Sequence, residues 1–165
     1  VTEGAMNGMS SALAIGASLI AIIGLVALLN GILSGLGSMV GFDGLTLEKV
    51  FAYVFSPLGF IMGLSGDEIL LAGQLLGSKL VLNEFVAFQE LGSVIQTLNP
   101  RTALLLSISL AGFANISSMG ICIAGISALC PEKKSVLSRL VFKAMIGGFV
   151  VSLLSAIIVG VITAF

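Results

Sequence analysis

Histidine is absent and cysteine occurs only twice in the 165 residues, so the usual ligands of a zinc or haem site are missing. Cys122 and Cys130 lie on roughly one helix face and read as small packing residues; they say nothing of redox compartment. Charge is scarce as well: 9% of residues are charged, far below the roughly 25% of a soluble domain. The net charge of −1 lacks the basic footprint that neutralises phosphates, so no nucleic acid is expected as a partner. No paired carboxylates and no nucleophile with a base stand at workable spacing, which argues against an enzyme.

What fills the chain instead is apolar. Hydrophobic residues make up 58% and the mean hydropathy is +1.21, which makes this a membrane protein and places it in the lipid bilayer. The few charges leave neutral runs at 4–42, 50–66, 102–131 and 144–165. A crossing helix needs about 20 apolar residues, so the first, third and fourth runs suffice and the second is short. The first run has no basic segment before it and is too long for the core of a signal peptide. With Val1 at its start, the sequence reads as a piece of a larger protein.

The pattern predicts an all-α membrane protein of five elements. Residues 11–40 form a spanning helix, whose glycines at 16, 24, 31, 35 and 37 suit close approach of neighbouring helices. Residues 45–62 begin polar and are broken near Pro57, which fits an interfacial helix. Residues 67–91 split into two pieces around Gly77-Ser78, each too short to cross a core of about 30 Å. They read as a re-entrant helical hairpin whose tip must be buried in protein or line a wet cavity. One crossing from Ile69 to Leu91, with Gly77 and Gly92 as packing positions, is the alternative.

Residues 98–130 form a spanning helix with polar and small residues at its centre, Gly112 to Gly120. An unwound segment is expected near Asn115–Ser118, as in the broken helices of transporters. Residues 135–165 are the final spanning helix. Lys133, Lys134, Arg139 and Lys143 make 131–143 a cytoplasmic loop by the positive-inside rule and leave the C-terminus outside.

Polar residues within these apolar elements are the candidate site. Ionised groups at membrane depth cost about 2.5 kcal/mol or more each and mark pathways or sites unless they are paired. Glu84 either pairs with Lys79 or caps a helix, or it offers its two acceptor oxygens to a vicinal diol. Lys79 can snorkel, pair with Glu84 or meet an anionic group, and pairing or a structural role at the hairpin tip is favoured. Asn115 and Ser118 share a helix face and either bond between helices or line a polar pocket. Phe113 either packs or stacks on an aromatic ligand.

These residues sit in longer motifs. The stretch from Gly73 to Phe88, containing Gly77-Ser78-Lys79-Leu80-Val81-Leu82-Asn83-Glu84-Phe85, resembles the concentrative nucleoside transporter family. So do Pro100-Arg101-Thr102, Gly112-Phe113-Ala114-Asn115-Ile116-Ser117-Ser118, Ala27 to Gly31, Leu45-Thr46-Leu47 and Ala128 to Glu132. The resemblance runs in order along essentially the whole chain.

It implies the C-terminal part of a secondary active transporter, usually a homotrimer in a plasma membrane such as the bacterial inner membrane. Such proteins move nucleosides with sodium or a proton and contain two inverted repeats, each with a re-entrant hairpin and a broken helix. By the same resemblance, Glu84, Asn115 and Ser118 bind the ribose hydroxyls and Phe113 lies near the base. Asn83, beside Glu84 in its motif, joins the substrate-binding candidates. No cofactor is implied, and the base-reading residues and the coupling-ion site are expected upstream of Val1. From a different class, the chain could be a structural or assembly module whose polar residues only lock helices together.

Overall fold

The computed structural model describes residues 1–164, with side chains left aside at 11, 14, 15, 18, 19, 22, 124, 128 and 129. Every regular element among the described residues is helical, and the chain divides into two compact units, the first ending at Leu47 and the second beginning at Glu48.

The first unit is built on α1, Thr2–Met39. Large apolar side chains such as Leu13, Ile20, Leu28 and Leu36 stand exposed along it, as a helix bordered by lipid or partner helices would leave them. Glycines 16, 24, 31 and 35 have nothing within 4 Å of an added Cβ, whereas at Gly37 the Cβ would run into Phe42 O and Leu45 Cβ. The 42–45 loop therefore packs back on the end of α1. Gly41 makes this turn with a left-handed φ of 79°, and Asn30 Oδ1 accepts from Leu47 N at 2.8 Å to fix where the next helix begins.

In the second unit, α2 (Leu47–Ile61) runs through Pro57 instead of breaking there. Pro57 has no N–H for the carbonyl of Tyr53, but the Ser56 hydroxyl donates to that carbonyl at 2.9 Å. The lost helix bond is thus replaced from within the same turn.

Next comes α3, Asp67–Val81, opened by two acidic residues in its first turn, the favourable sense for a helix N-terminus. It continues through Gly77-Ser78, where the sequence had suggested a reversal. The reason is packing: a Cβ on Gly73 would press on Ser56 N at 2.7 Å, and one on Gly77 would press on Phe51 Cγ at 2.6 Å. The two glycines, one helical turn apart, make a flat strip against which α2 closes. The chain reverses instead at Leu82 and Asn83, and α4, Glu84–Val94, folds back along α3. Ser78 Oγ at 2.9 Å and Gln74 Nε2 at 3.1 Å both donate to Glu90 of α4 and staple the pair. Among the described residues nothing lies within 4 Å of a Cβ added at Gly92.

A short 3-10 turn, Ile95–Thr97, leads to α5, Pro100–Leu110, with Asn99 as N-cap and Pro100 at the first helical position. The helix stops at Leu110, and α6, Ile116–Leu129, restarts after Asn115. The non-helical segment is therefore 111–115, slightly earlier than expected, and Asn115–Ser118 opens the second half. After a 3-10 turn at Pro131–Lys133, α7 runs from Lys134 to Ile162. Pro131–Ile162 has the length and apolar composition to cross a membrane. Cys122 is half-buried, whereas Cys130, which caps α6 just before Pro131, is exposed.

The core lies where α3, α4, α5 and α7 meet, with Leu75, Leu76, Leu91, Leu105, Leu106 and Ala156 fully or almost fully buried. It brings the α3–α4 turn beside the α5–α6 break.

Candidate functional site

Both interruptions restart with an asparagine cap, and the two caps lie together. Asn83 caps α4 by accepting from Val86 N at 2.9 Å, which makes Glu84 the first residue of that helix. Asn115 caps α6 by accepting from Ser118 N at 2.7 Å. The Ser118 hydroxyl completes a capping box with the Asn115 backbone, donating to its carbonyl at 2.6 Å and accepting from its N–H at 3.1 Å. Ser117 Oγ adds a bond to Asn115 Oδ1 at 2.7 Å and one to Leu82 O at 3.3 Å. The asparagine is thereby fixed, and α6 is tied to the α3–α4 turn.

With Oδ1 committed to the cap, Asn115 Nδ2 is free to donate elsewhere, and it donates to Glu84 Oε2. Glu84 thus receives a fixed donor from the start of another helix while sitting at the start of its own. Each helix N-terminus carries the equivalent of roughly half a positive charge, so a carboxylate placed between two of them is electrostatically favoured. Among the described residues Glu84 Oε1 carries no hydrogen bond, and the residue is half-buried rather than sealed. Chemically this is a fixed anionic acceptor with one open oxygen, suited to a donor pair such as two neighbouring hydroxyls.

The remaining candidates take different places. Asn115 is 1% exposed and Ser118 3%, so both stand behind Glu84 rather than in the open. Phe113, in the break, is 54% exposed and borders a cavity of 220 Å³ that Ser118, Met119, Cys122, Leu140 and Met145 also line. Asn83 is 5% exposed and its Nδ2, though buried, has no hydrogen-bond partner. Such a donor is costly to leave unsatisfied and is an opening for an acceptor.

Lys79 does not pair with Glu84. Its ammonium, 0% exposed, donates to Ser109 O at 2.6 Å and Ser152 Oγ at 2.7 Å, while Glu84 turns to Asn115. Because α3 continues past Gly77-Ser78, Lys79 sits inside a helix facing α5 and α7 and not at a hairpin tip.

Sequence reasoning missed Ser117, whose two bonds join the interruptions, and the partners Ser109 and Ser152. Serines are common small packing residues in apolar helices, and only the fold separates these from the rest. Sequence reasoning also missed the apolar cavity, for which the recurrence of Met119, Cys122, Ile123 and Ile126 at helical spacing on one face was an available signal. Among the described residues no group of three or more His, Cys, Asp or Glu gathers that could hold a metal ion.

Comparison with known proteins gives one consistent result. Residues 1–160 match the family described as "Na+ dependent nucleoside transporter C-terminus". An uncharacterized transporter of Bacillus subtilis, YutK, is 44% identical over 158 residues, covering 96% of this chain and 39% of the relative. Sodium/nucleoside cotransporter 1 of mouse is 37% identical over 163 residues, covering 90% of this chain and 25% of the relative. The structure of CNTnw in an inward-facing substrate-bound state superposes with a TM-score of 0.93 at 37% identity, covering 99% of this chain and 40% of that one. The chain thus spans between a quarter and two-fifths of the length of these relatives.

Proposed function

Because the chain belongs to the Na+-dependent nucleoside transporter family, as its C-terminal region, we propose that it supplies the ribose half of the binding site of a cation-coupled secondary active nucleoside transporter. The observation that carries this reading is the bond between Glu84 and Asn115, which joins two helix interruptions at one half-open carboxylate.

In this reading the ribose 2′ and 3′ hydroxyls donate to Glu84, one to the open Oε1 and one to the second lone pair of Oε2. Asn115 fixes the carboxylate, and Ser118 holds Asn115 and completes the polar wall. Phe113 provides an apolar face toward the base, and Asn83 Nδ2 has a donor to spare for an oxygen of the nucleoside. Residues 67–91 are a re-entrant hairpin and 98–130 a broken spanning helix, one half of an inverted repeat. The partner half, with base recognition and the coupling ion, lies upstream of Val1, and sodium is that ion by the family's character. The full protein is a homotrimer in the plasma membrane, with 131–143 on the cytoplasmic side.

Glu84→Gln in the full-length protein tests this. Hydrogen bonds to a charged acceptor contribute about 1.5–3 kcal/mol, so uridine affinity should fall by roughly 10- to 150-fold, and 2′-deoxyuridine should lose less. Uptake and affinity equal to the wild type would refute the assignment. Loss of stability with unchanged affinity would instead favour a purely structural module.

A further inference from the structure

Lys79 is the one charged side chain in the described structure that is wholly enclosed, and the ribose site makes no use of it. Its surroundings are specific. The ammonium has three donors; one meets Ser109 O at 2.6 Å and one meets Ser152 Oγ at 2.7 Å. The Phe149 ring centroid is 5.3 Å away, within the range of a cation–π contact. Ser152 is itself fixed, because its hydroxyl donates to Phe149 O at 2.8 Å.

The Ser109 carbonyl explains why a cation is needed there. It lies in the last turn of α5, where carbonyls have no helical partner and the helix end carries partial negative charge. In an unbroken helix the N–H of Phe113 would have met it, but Phe113 lies in the interruption. Gly112 lets the break close over the lysine: a Cβ there would stand 3.1 Å from Ser152 Cβ and 3.4 Å from Lys79 Nζ. The lysine thus touches the α5 terminus, the interruption and α7 at once, from within the helix that leads to Glu84.

We propose that Lys79 is a positioning residue, a built-in counter-ion for the broken helix that holds 111–115 in the shape presenting Phe113 to the nucleoside and Asn115 to Glu84. This rests on the ribose-site reading above.

The test uses full-length protein and two ligands, uridine and 2′-deoxyuridine, titrated calorimetrically against purified wild type, Lys79→Met, Ser152→Ala and Glu84→Gln. Methionine keeps the length of the lysine stem and removes the charge. Lys79→Met should weaken uridine binding by about tenfold or more, the scale of losing charge-assisted bonds, and shrink the preference for uridine over 2′-deoxyuridine. A residue that only filled space would reduce the yield of folded protein and leave that preference intact.

Ser152→Ala, which removes one acceptor and keeps the charge, should move both quantities in the same direction by a smaller factor. If folded Lys79→Met keeps the wild-type affinity and preference, the proposal is overturned. If Lys79→Met does not fold, Ser152→Ala decides, and an unchanged preference in that variant overturns it. Glu84→Gln separates the two ideas: wild-type discrimination there would remove the ribose site itself, whatever Lys79 does.

Discussion

Asn115 does two things with two different atoms, so substitutions can separate them. Its Oδ1 caps α6 through Ser118 N at 2.7 Å and holds Ser117 Oγ at 2.7 Å, whereas its Nδ2 serves Glu84 alone. Asn115→Ser keeps a capping oxygen and removes the donor to Glu84. Asn115→Asp keeps the capping oxygen and sets a second carboxylate against the first. Asn115→Ala removes both functions.

Loss of the cap costs about 1 kcal/mol, so the alanine variant, which loses cap and donor together, should unfold at a lower temperature than the serine variant. Loss of the donor removes a charge-assisted bond that also stabilises the fold and leaves Glu84 unfixed, so Asn115→Ser should bind uridine about tenfold more weakly while remaining more stable than Asn115→Ala. Two carboxylates about 4 Å apart repel by about 4 kcal/mol at an effective dielectric constant near 20. Asn115→Asp should therefore bind weakest of the three despite keeping its cap. Calorimetric titration with uridine and thermal unfolding of the same detergent-purified samples measure both axes. Affinity that followed stability across the series, with Asn115→Ser and Asn115→Asp binding normally, would show that Asn115 is only a helix cap and refute the reasoning.

Two further outcomes follow from packing and from family membership. Gly73→Ala should destabilise, because its Cβ would press on the backbone of α2, with Ser56 N at 2.7 Å, and overpacking costs about 1–3 kcal/mol. Gly92→Ala, with nothing within 4 Å, should instead stabilise α4 by up to about 1 kcal/mol through helix propensity; equal unfolding temperatures for the two variants would contradict this. Uridine uptake by the full-length protein in vesicles should fall to background when choline replaces sodium. Uptake that persists and follows a proton gradient would assign the coupling to protons.

Composition made the helical, membrane-suited character legible, since a chain with 58% hydrophobic and 9% charged residues has few other solvents open to it. The presence of two interruptions was legible too, from polar residues set in apolar runs. Their exact places were not. Gly77-Ser78 has the composition of a turn, but a glycine frees the backbone for a turn and equally removes the Cβ from a helix contact. Only the position of Phe51 and Ser56 on α2 decides between these uses. The true reversal at Leu82-Asn83 needs no glycine, because the Asn83 side chain caps the next helix.

Asn115 and Ser118 carry the same ambiguity. Three residues apart, they suggested an unwound stretch, yet that spacing is also the interval of a capping box, which is how the chain uses it. In sequence, Glu84 is the nearest opposite charge to Lys79. In the fold, the end of α5 and Ser152 on α7 are the nearer partners, and no local pattern could have supplied them.

The separation of the two charges explains how both are tolerated. Lys79 lies at a helix C-terminus, that of α5, and Glu84 lies between the N-termini of α4 and α6. Each meets backbone partial charge of the opposite sign, so neither needs the other as a direct ion pair. Had they paired, the carboxylate would have been occupied and the end of α5 left bare. Held apart, the lysine stabilises the interruption from behind while Glu84 keeps an open oxygen. A neutral polyol fits such an oxygen well, because it donates hydrogen bonds without adding charge to an arrangement already balanced. A cationic ligand would instead compete with the two helix ends for Glu84, and an anionic one would be repelled by it.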